Sequence, residues 1–373
     1  MATVGNTGAP STNTVYFDAL LSTTLNNYAL GKSMFDNIFK DSAYLALLRM
    51  SDAVKKQDGG ERIAVPLLYG DNNTVKTHGG YDVIDTTPAD GMTTAFYEWA
   101  EVAGSISISR KEERQNSGES RLVGLLENKI KQAEMTMREK LNTDLVRGTV
   151  SSATFVPDSS IGSGTLGIFP LGYFLRKDNT LNPTTGGNVG NISAVTQDWW
   201  RHKTAVVNAG GVDTGNSFTV NVTTYAGFKV ALRRMYNYVS RGSGGSPDVV
   251  LFDQLSFETY ENALDVNIRY QNTKMADLGF DTVKLRGATC IWDEQVPDIE
   301  NGTAAVTAGT AFFLNTKFYS LVIDSQTDIV TTPFVEPENQ TAKTAKILFM
   351  GNTAVSNLRK HGVMYGISQT ITS

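Results

Sequence analysis

The sequence predicts an α+β fold, in which helices and strands follow one another in mixed order. Three observations lead to this prediction. One long stretch, 120–147, carries apolar residues at helical spacing; the second half of the chain alternates short strands with two shorter helices; and strand–helix–strand units do not repeat regularly. Mixed connectivity follows, rather than the parallel sheet that a regular alternation would build.

Length and composition indicate a folded protein of more than one packed unit. The chain has 373 residues, 40% of them hydrophobic and 19% charged, which is typical of globular domains. Its net charge of −5 argues against a free-standing nucleic-acid-binding protein, although nonspecific contact through one face stays open. The single cysteine, Cys290, excludes an intrachain disulfide and a zinc site built from thiolates. We expect no membrane contact, because no segment approaches eighteen apolar residues.

The N-terminal residues 1–55 predict an extended arm. Residues 1–14 are polar and lack periodicity, and the stretch that follows places apolar side chains at helical spacing. Such an amphipathic arm needs a partner surface for its apolar face. The arm residues that we expect at an interface are Leu20, Leu21 and Phe35.

Residues 56–109 predict a long two-stranded hairpin. One strand spans 62–69, a second spans 93–109, and the polar stretch 70–92 forms the tip between them. Two strands without a third are marginal alone, so we expect this hairpin to be held by something outside its own fold. The hairpin residues that we expect at an interface are Tyr81, Asp85, Phe96 and Trp99.

The helix predicted over 120–147 would be about 40 Å long, and Gly148 is placed to end it. Just before it, residues 110–114 carry both signs of charge. This run is either a solvated face or half of a complementary patch between subunits, with Arg110 and Arg114 as its cations.

The second half of the chain predicts a further unit that begins near residue 201. Thr224 and Asp253 are expected to cap two helices, because Thr and Asp side chains can accept hydrogen bonds from the backbone N–H groups at a helix start. The predicted strands span 249–252, 283–291, 311–324, 328–334, 343–350 and 357–367.

No catalytic, cofactor or metal site is predicted. The three histidines fall in separate elements, and the sequence contains no HExxH, GxSxG or GxxxxGK motif. A GxGxxG match at 162–167 lacks the flanking strand and helix that a dinucleotide site needs. Trp199 and Trp200 could stack on sugars or bases, but a hydrophobic anchor at the hinge between two units is the preferred interpretation.

The order of these parts resembles the Hong Kong 97-like capsid fold of tailed bacteriophages. The segment Val189-Gly190-Asn191-Ile192, followed by Trp199-Trp200-Arg201, is similar to a turn and Trp-Trp-Arg pattern of some phage capsid proteins, with Asn191 and Ser193 departing from it. The domains that the resemblance implies are an N-terminal arm (1–55), an E-loop hairpin (56–109), the first part of the P-domain with spine helix 120–147 (110–200), an A-domain (201–321) and the C-terminal strands of the P-domain (322–373).

The resemblance implies a structural protein without catalytic activity or cofactors. It would assemble in the host cytoplasm into hexamers and pentamers, and these into the icosahedral shell of a virion around double-stranded DNA. Its implied partners are itself, a portal protein, decoration proteins and DNA contacted nonspecifically. The first amphipathic pattern begins within twenty residues of Met1, so a separate scaffolding protein is expected.

Some relatives cross-link a hairpin lysine to a P-domain asparagine with the help of a glutamate. Lys76 could be the lysine, and Asn352 or Asn357 the asparagine. No Asp or Glu follows Glu338, so we expect a shell without covalent cross-links. Three alternatives stay open: an encapsulin-like nanocompartment, a carbohydrate-active enzyme that uses Trp199 and Trp200, and a tail-tube or other virion protein.

Overall fold

The computed structural model describes the residues 43–84, 86–87, 90–115, 125–151, 154–156, 167–175, 188–194, 196–207, 217–220, 222, 224–264, 283–296, 309–338 and 341–367. The predicted interface residues Leu20, Leu21, Phe35 and Asp85 lie outside them. The chain divides into two compact units: Met1–Lys40, Val102–Glu139 and Ile329–Phe349 form the first, and the remaining residues form the second.

Helices and strands alternate irregularly along the chain, as the α+β class requires. The helices are α1 (Ala43–Met50), α2 (Arg110–Gln115), α3 (Leu125–Val146), α4 (Leu171–Phe174), α5 (Tyr225–Ser240) and α6 (Gln254–Ala263). The strands are β1 (Val54–Gln57), β2 (Ile63–Leu68), β3 (Met92–Tyr97), β4 (Ala100–Ser109), β5 (Thr149–Ser151), β6 (Thr154–Val156), β7 (Asn188–Val189), β8 (Ile192–Ser193), β9 (Lys203–Val207), β10 (Ser217–Val220), β11 (Val249–Phe252), β12 (Val283–Leu285), β13 (Ala288–Trp292), β14 (Gly309–Leu314), β15 (Tyr319–Asp324), β16 (Val330–Thr331), β17 (Ala342–Val355) and β18 (Gly362–Ile367).

A seven-stranded mixed sheet forms the main core of the second unit. Its strands lie in the order β10-β9-β18-β14-β11-β13-β12, and α5 and α6 contribute buried side chains to the same apolar cluster. Along α5, Phe228, Leu232, Met235 and Val239 recur at helical spacing and are buried, because this stripe is the face that the helix turns to the core. All four residues of β11 are buried as well.

Both predicted helix caps are confirmed. The Thr224 side chain accepts a hydrogen bond from the backbone N–H of Gly227 at the start of α5 (3.2 Å). The Asp253 carboxylate accepts one from Ser256 at the start of α6 (3.0 Å). Each bond satisfies a donor that the first helical turn leaves without an intrahelical partner.

A second sheet contains β1, β15, β17 and β16 in that order, with β4 also paired to β17. Within the second unit, β1 is parallel to β15, and β15 is antiparallel to residues 351–355 of β17. Within the first unit, β16 is antiparallel to residues 347–348 of β17.

The strand predicted over 311–324 is wrong as a single element. It is two strands in two different sheets, β14 and β15, separated by a turn at Asn315, whose carbonyl accepts from the backbone N–H of Phe318 (3.0 Å). The predicted placement of the last strand with the C-terminal strands also differs from the structure. β18 lies between β9 and β14 in the seven-stranded sheet, because its buried apolar residues complete that core.

The hairpin strand predicted over 93–109 is likewise broken, into β3 and β4. Side-chain bonds hold the corner: the Asn352 amide donates to the Glu98 carbonyl (2.7 Å), and the Trp99 indole donates to the Gly60 carbonyl (2.9 Å). These bonds replace ladder pairing at residues 98 and 99, which the alternation of apolar residues alone does not reveal.

The helix predicted over 120–147 is confirmed for Leu125–Val146, and residues 120–124 lie outside the described residues. It ends as predicted at Gly148, whose φ is +59° and whose N–H donates to the Thr143 carbonyl (2.7 Å). In the first unit, Lys129 of this helix donates to the Ser107 carbonyl (3.0 Å) and to the Glu112 carboxylate (3.2 Å).

Candidate intersubunit interface

The hairpin formed by β2 and β3 exposes a concentration of apolar side chains. Of fourteen large hydrophobic residues that are exposed in the described part of the chain, eight lie between residues 68 and 96. They are Leu68, Tyr69, Val75, Tyr81, Val83, Ile84, Met92 and Phe96. We call these eight residues the hairpin apolar surface.

Strand alternation explains why this surface faces solvent. Successive side chains of a strand point to opposite faces, and the inward face of the hairpin carries the buried residues Ile63, Leu67, Ala95 and Tyr97. The outward face ends in Leu68, which is 81% exposed, paired in register with Met92, which is 75% exposed. An apolar pair of this size, exposed at the end of a two-stranded ribbon, makes this face a candidate for an intersubunit contact.

The base of the hairpin is fixed by Tyr97. Its hydroxyl donates to the Val355 carbonyl (2.8 Å), and its ring packs edge-on against Phe169 and Phe174, with centroids 6.4 and 6.2 Å away. Burial raises the pKa of this phenol, so it stays a neutral donor. A hairpin held in this way presents its outward face in a defined direction.

A tight turn between β7 and β8 also holds the hairpin. Gly190 and Asn191 both have positive φ, +59° and +63°, as a two-residue hairpin turn requires. The Gly190 carbonyl accepts from the backbone N–H of Phe96 (3.0 Å). A Cβ at Gly190 would lie 2.9 Å from the Cβ of Ala95, so only glycine fits between the turn and β3.

The two tryptophans after this turn act as anchors. Trp200 is buried, and its indole donates to the Val189 carbonyl (2.9 Å). Trp199 stacks on Tyr69 at the end of the hairpin, with ring centroids 4.8 Å apart and planes 14° from parallel. Both tryptophans therefore pack within the second unit, on the hairpin and its supporting turn, so the predicted position at a hinge between two units is wrong.

The predicted interface residues fall in different surroundings. Tyr81 is fully exposed and Phe96 is 40% exposed, whereas Trp99 is half-buried at the corner between β3 and β4. Arg110 and Arg114 are exposed on α2. Their part in an interface stays a prediction.

Sequence reasoning missed the most exposed members of the hairpin apolar surface other than Tyr81. The sequence predicts Leu68 as a strand residue, and it places Val75, Val83 and Met92 in the polar tip 70–92. The alternation of Ile63, Val65 and Leu67 in the sequence defines the inward face, so the opposite parity of Leu68 was the available signal.

The amide of Asn352, one of the two possible cross-link partners, is already occupied. It is buried, its nitrogen donates to the Glu98 carbonyl, and its oxygen accepts from the backbone N–H groups of Phe169 (2.9 Å) and Thr353 (2.8 Å). Lys76 is exposed on the hairpin, and Asn357 is half-buried. Rupture of three hydrogen bonds would have to precede any reaction at Asn352.

Other kinds of site find little support in the described ranges. These ranges hold no group of three or more His, Cys, Asp or Glu residues that could bind a metal ion. Their helices include none with both the length and the apolar character of a membrane span. Burial raises the pKa of the Cys290 thiol, which keeps it a neutral packing residue.

Solved structures match this chain over nearly its whole length. It is similar to the cyanophage A-1(L) capsid asymmetric unit (TM-score 0.60, 15% identity, covering 92% of this chain and 97% of that chain). It is similar also to the capsid of Myoviridae phage XM1 (0.53, 11%, 97% and 100%) and to the capsid of an empty GTA particle (0.53, 11%, 98% and 100%). No family model matches the sequence, and no curated protein matches it.

These likenesses establish the fold. The chain has an α+β architecture of the kind found in shell-building proteins. More particularly, it has the Hong Kong 97-like fold of phage capsid proteins, so the fold predicted from the order of arm, hairpin, long helix and inserted unit is confirmed.

Proposed function

We propose that this chain is the major capsid protein of a tailed bacteriophage. It assembles into hexamers and pentamers, and these form an icosahedral head shell around double-stranded DNA. The observation that carries the proposal is the hairpin apolar surface, which is anchored at its base and, apart from Tyr69 under the Trp199 ring, stays exposed among the described residues. The shared fold with phage capsids supports the same role.

The energetics favour a second copy of the chain as the cover. Burial of one exposed Leu or Met side chain contributes about 2 kcal/mol, so the Leu68–Met92 pair alone provides about 4 kcal/mol per contact. A closed shell repeats one heterologous contact many times, so a modest energy per contact suffices for a stable particle. A single exposed hairpin on each subunit can supply this repeated contact.

The net charge of the chain indicates how strongly a shell would bind the DNA that it encloses. The chain carries −5, so its net charge disfavours tight binding of phosphate groups. We propose that DNA is enclosed and contacted nonspecifically, that scaffolding, portal and decoration proteins are the other partners, and that the protein has no catalytic activity. The occupied Asn352 amide and the absence of Asp and Glu after Glu338 support a shell without covalent cross-links.

The proposal is tested by removing the outward apolar pair. We expect the double variant Leu68→Ser/Met92→Ser to fold, since both side chains are exposed, but not to form shells when it is produced with the other head proteins. Val230→Ser is the matched control, because Val230 is 57% exposed on α5, away from the hairpin. Sedimentation would separate shells from subunits.

Two results would speak against the proposal. Normal shells from the double variant would show that the hairpin apolar surface is not an assembly contact. Shells that contain protein cargo and no DNA would instead assign the chain to an encapsulin-like nanocompartment.

A further inference from the structure

Four cationic side chains come together where β9, the end of α5 and the 3₁₀ turn Leu358–Lys360 meet. We call Lys203, Arg241, Arg359 and Lys360 the cationic cluster. Lys203 pairs in register with Gly362 of β18, and its backbone N–H donates to the His361 carbonyl (3.0 Å). Lys360 reaches the end of α5, where its ammonium group donates to the Arg241 carbonyl (3.0 Å).

Tyr238 lies within the cluster and helps to hold it. The Lys203 ammonium nitrogen is 4.8 Å from the centroid of the Tyr238 ring, and the Arg241 guanidinium carbon is 5.2 Å from it. Both distances are within the range of cation–π attraction. One aromatic ring therefore fixes two cations close to each other.

One acidic residue, Asp198, lies on a 3₁₀ turn (Asp198–Trp200) that contacts the turn Leu358–Lys360, and it is ion-paired with Arg201. Helix α5 has no Asp or Glu, and none follows Glu338. In the ranges that the structure describes, neither Arg241 nor Arg359 makes an ion pair, and both are exposed. Burial, together with repulsion from Arg359, Arg241 and Lys360, lowers the pKa of Lys203 to about 8. Like charges held this close repel one another, and a bound anion would relieve the repulsion.

We infer that the cationic cluster binds a phosphate group, with the exposed Arg241 and Arg359 as the contacting arms and Lys203 as a further positive charge beside them. A guanidinium fork matches the oxygens of phosphate with two parallel hydrogen bonds, and a dianion offsets more of the positive charge than a carboxylate does. The buried Lys360 contributes charge rather than contact, because its ammonium group is already bonded to backbone carbonyls. The inference goes beyond shell formation and does not depend on it.

Calorimetric titration of the full-length chain with inorganic phosphate, at constant ionic strength, tests the site. We expect saturable binding that weakens at least 10-fold in the Arg241→Gln/Arg359→Gln variant. Arg233→Gln, an exposed arginine on α5 outside the cluster, should change the affinity less than 2-fold. Absence of saturable binding, or equal binding by the double variant, would overturn the inference, and acetate binding as tight as phosphate would overturn the choice of phosphate.

A duplex oligonucleotide of about 20 base pairs then identifies the source of the phosphate. If the site takes nucleic-acid backbone, the wild-type chain binds the duplex, and the double variant loses about two units from the slope of log affinity against log salt. If it takes free phosphate, inorganic phosphate binds and the duplex does not. Either outcome supports the site. Neither requires assembled shells, so failure of this inference is distinguishable from failure of the proposed function.

Discussion

Lys360 provides the sharpest test of how the second unit is held together. Its side chain is buried, and its ammonium group donates to four backbone carbonyls that end α5 and line the following loop. These carbonyls belong to Ser240 (3.4 Å), Arg241 (3.0 Å), Gly242 (3.0 Å) and Gly245 (3.3 Å). The substitution Lys360→Met keeps the apolar stem and removes only the ammonium group.

The expected cost follows from these contacts. Hydrogen bonds from a charged donor contribute about 1.5 kcal/mol each, and a lysine has three N–H donors to share among the four carbonyls. The positive charge also lies at the negative, C-terminal end of the α5 dipole, and this attraction adds up to about 1 kcal/mol to the stability. Desolvation of the ammonium group offsets part of this sum, so we expect Lys360→Met to lower the free energy of unfolding by about 3 kcal/mol.

Urea denaturation of the unassembled chain, followed by tryptophan fluorescence, measures this loss. Lys317→Met is the matched control, because Lys317 is exposed and its ammonium group lies 5.7 Å from the Phe318 ring. We expect that control to cost about 0.5 kcal/mol. A loss below about 1 kcal/mol in Lys360→Met would refute the view that this lysine closes the end of α5.

Three further predictions concern the turn, acid stability and covalent state. Gly190→Ala should lower the free energy of unfolding by about 2 kcal/mol, because its φ is +59° and its Cβ would meet Ala95; Gly80→Ala, with open space around it, should leave urea denaturation unchanged. Burial and the nearby His202 lower the pKa of His361 to about 3, so stability present above pH 6.5 should fall by up to about 1.4 kcal/mol per pH unit as the pH drops toward 3. Acid denaturation of His361→Gln should lose this slope, and that of the exposed-site control His78→Gln should keep it. Boiled, SDS-treated shells should run as a single monomer band, and a ladder of multimers would contradict this.

Local signals in the sequence predicted the parts of the fold that depend on local physics. Thr224 and Asp253 cap helices because a short polar side chain at that position reaches the first turn. Gly148 ends the long helix because glycine adopts positive φ without strain. These features require no knowledge of distant residues.

Features that depend on distant residues escaped the sequence analysis. The break at Asn315 transfers the chain between two sheets, and the pairing of β18 with β9 joins residues far apart in sequence. From the sequence, Lys360 looks like an ordinary surface lysine. In the structure, its ammonium group binds backbone carbonyls at the end of α5, about 120 residues earlier in the chain. Hydrophobic periodicity cannot reveal these pairings.

The candidate interface was predicted in part. The polar stretch between two strands indicated an exposed tip, and Tyr81 is fully exposed there. Leu68 was missed, because an apolar residue in a strand suggests core until the strand partner and the inward face are known. Met92 was missed because it fell in the stretch predicted as a polar tip, whereas in the structure it pairs with Leu68. The buried role of Asn352 was also invisible, since its partners Glu98 and Phe169 lie in other parts of the chain.

Negative-stain electron microscopy of the purified full-length chain shows whether it builds a capsid shell. The chain is produced with and without a scaffolding protein, and the images are compared with its sedimentation profile. We expect uniform icosahedral shells, which contain double-stranded DNA when the packaging proteins are present, or rings of hexamer and pentamer size. A chain that stays monomeric with its scaffolding partner present would contradict the assignment as a capsid subunit.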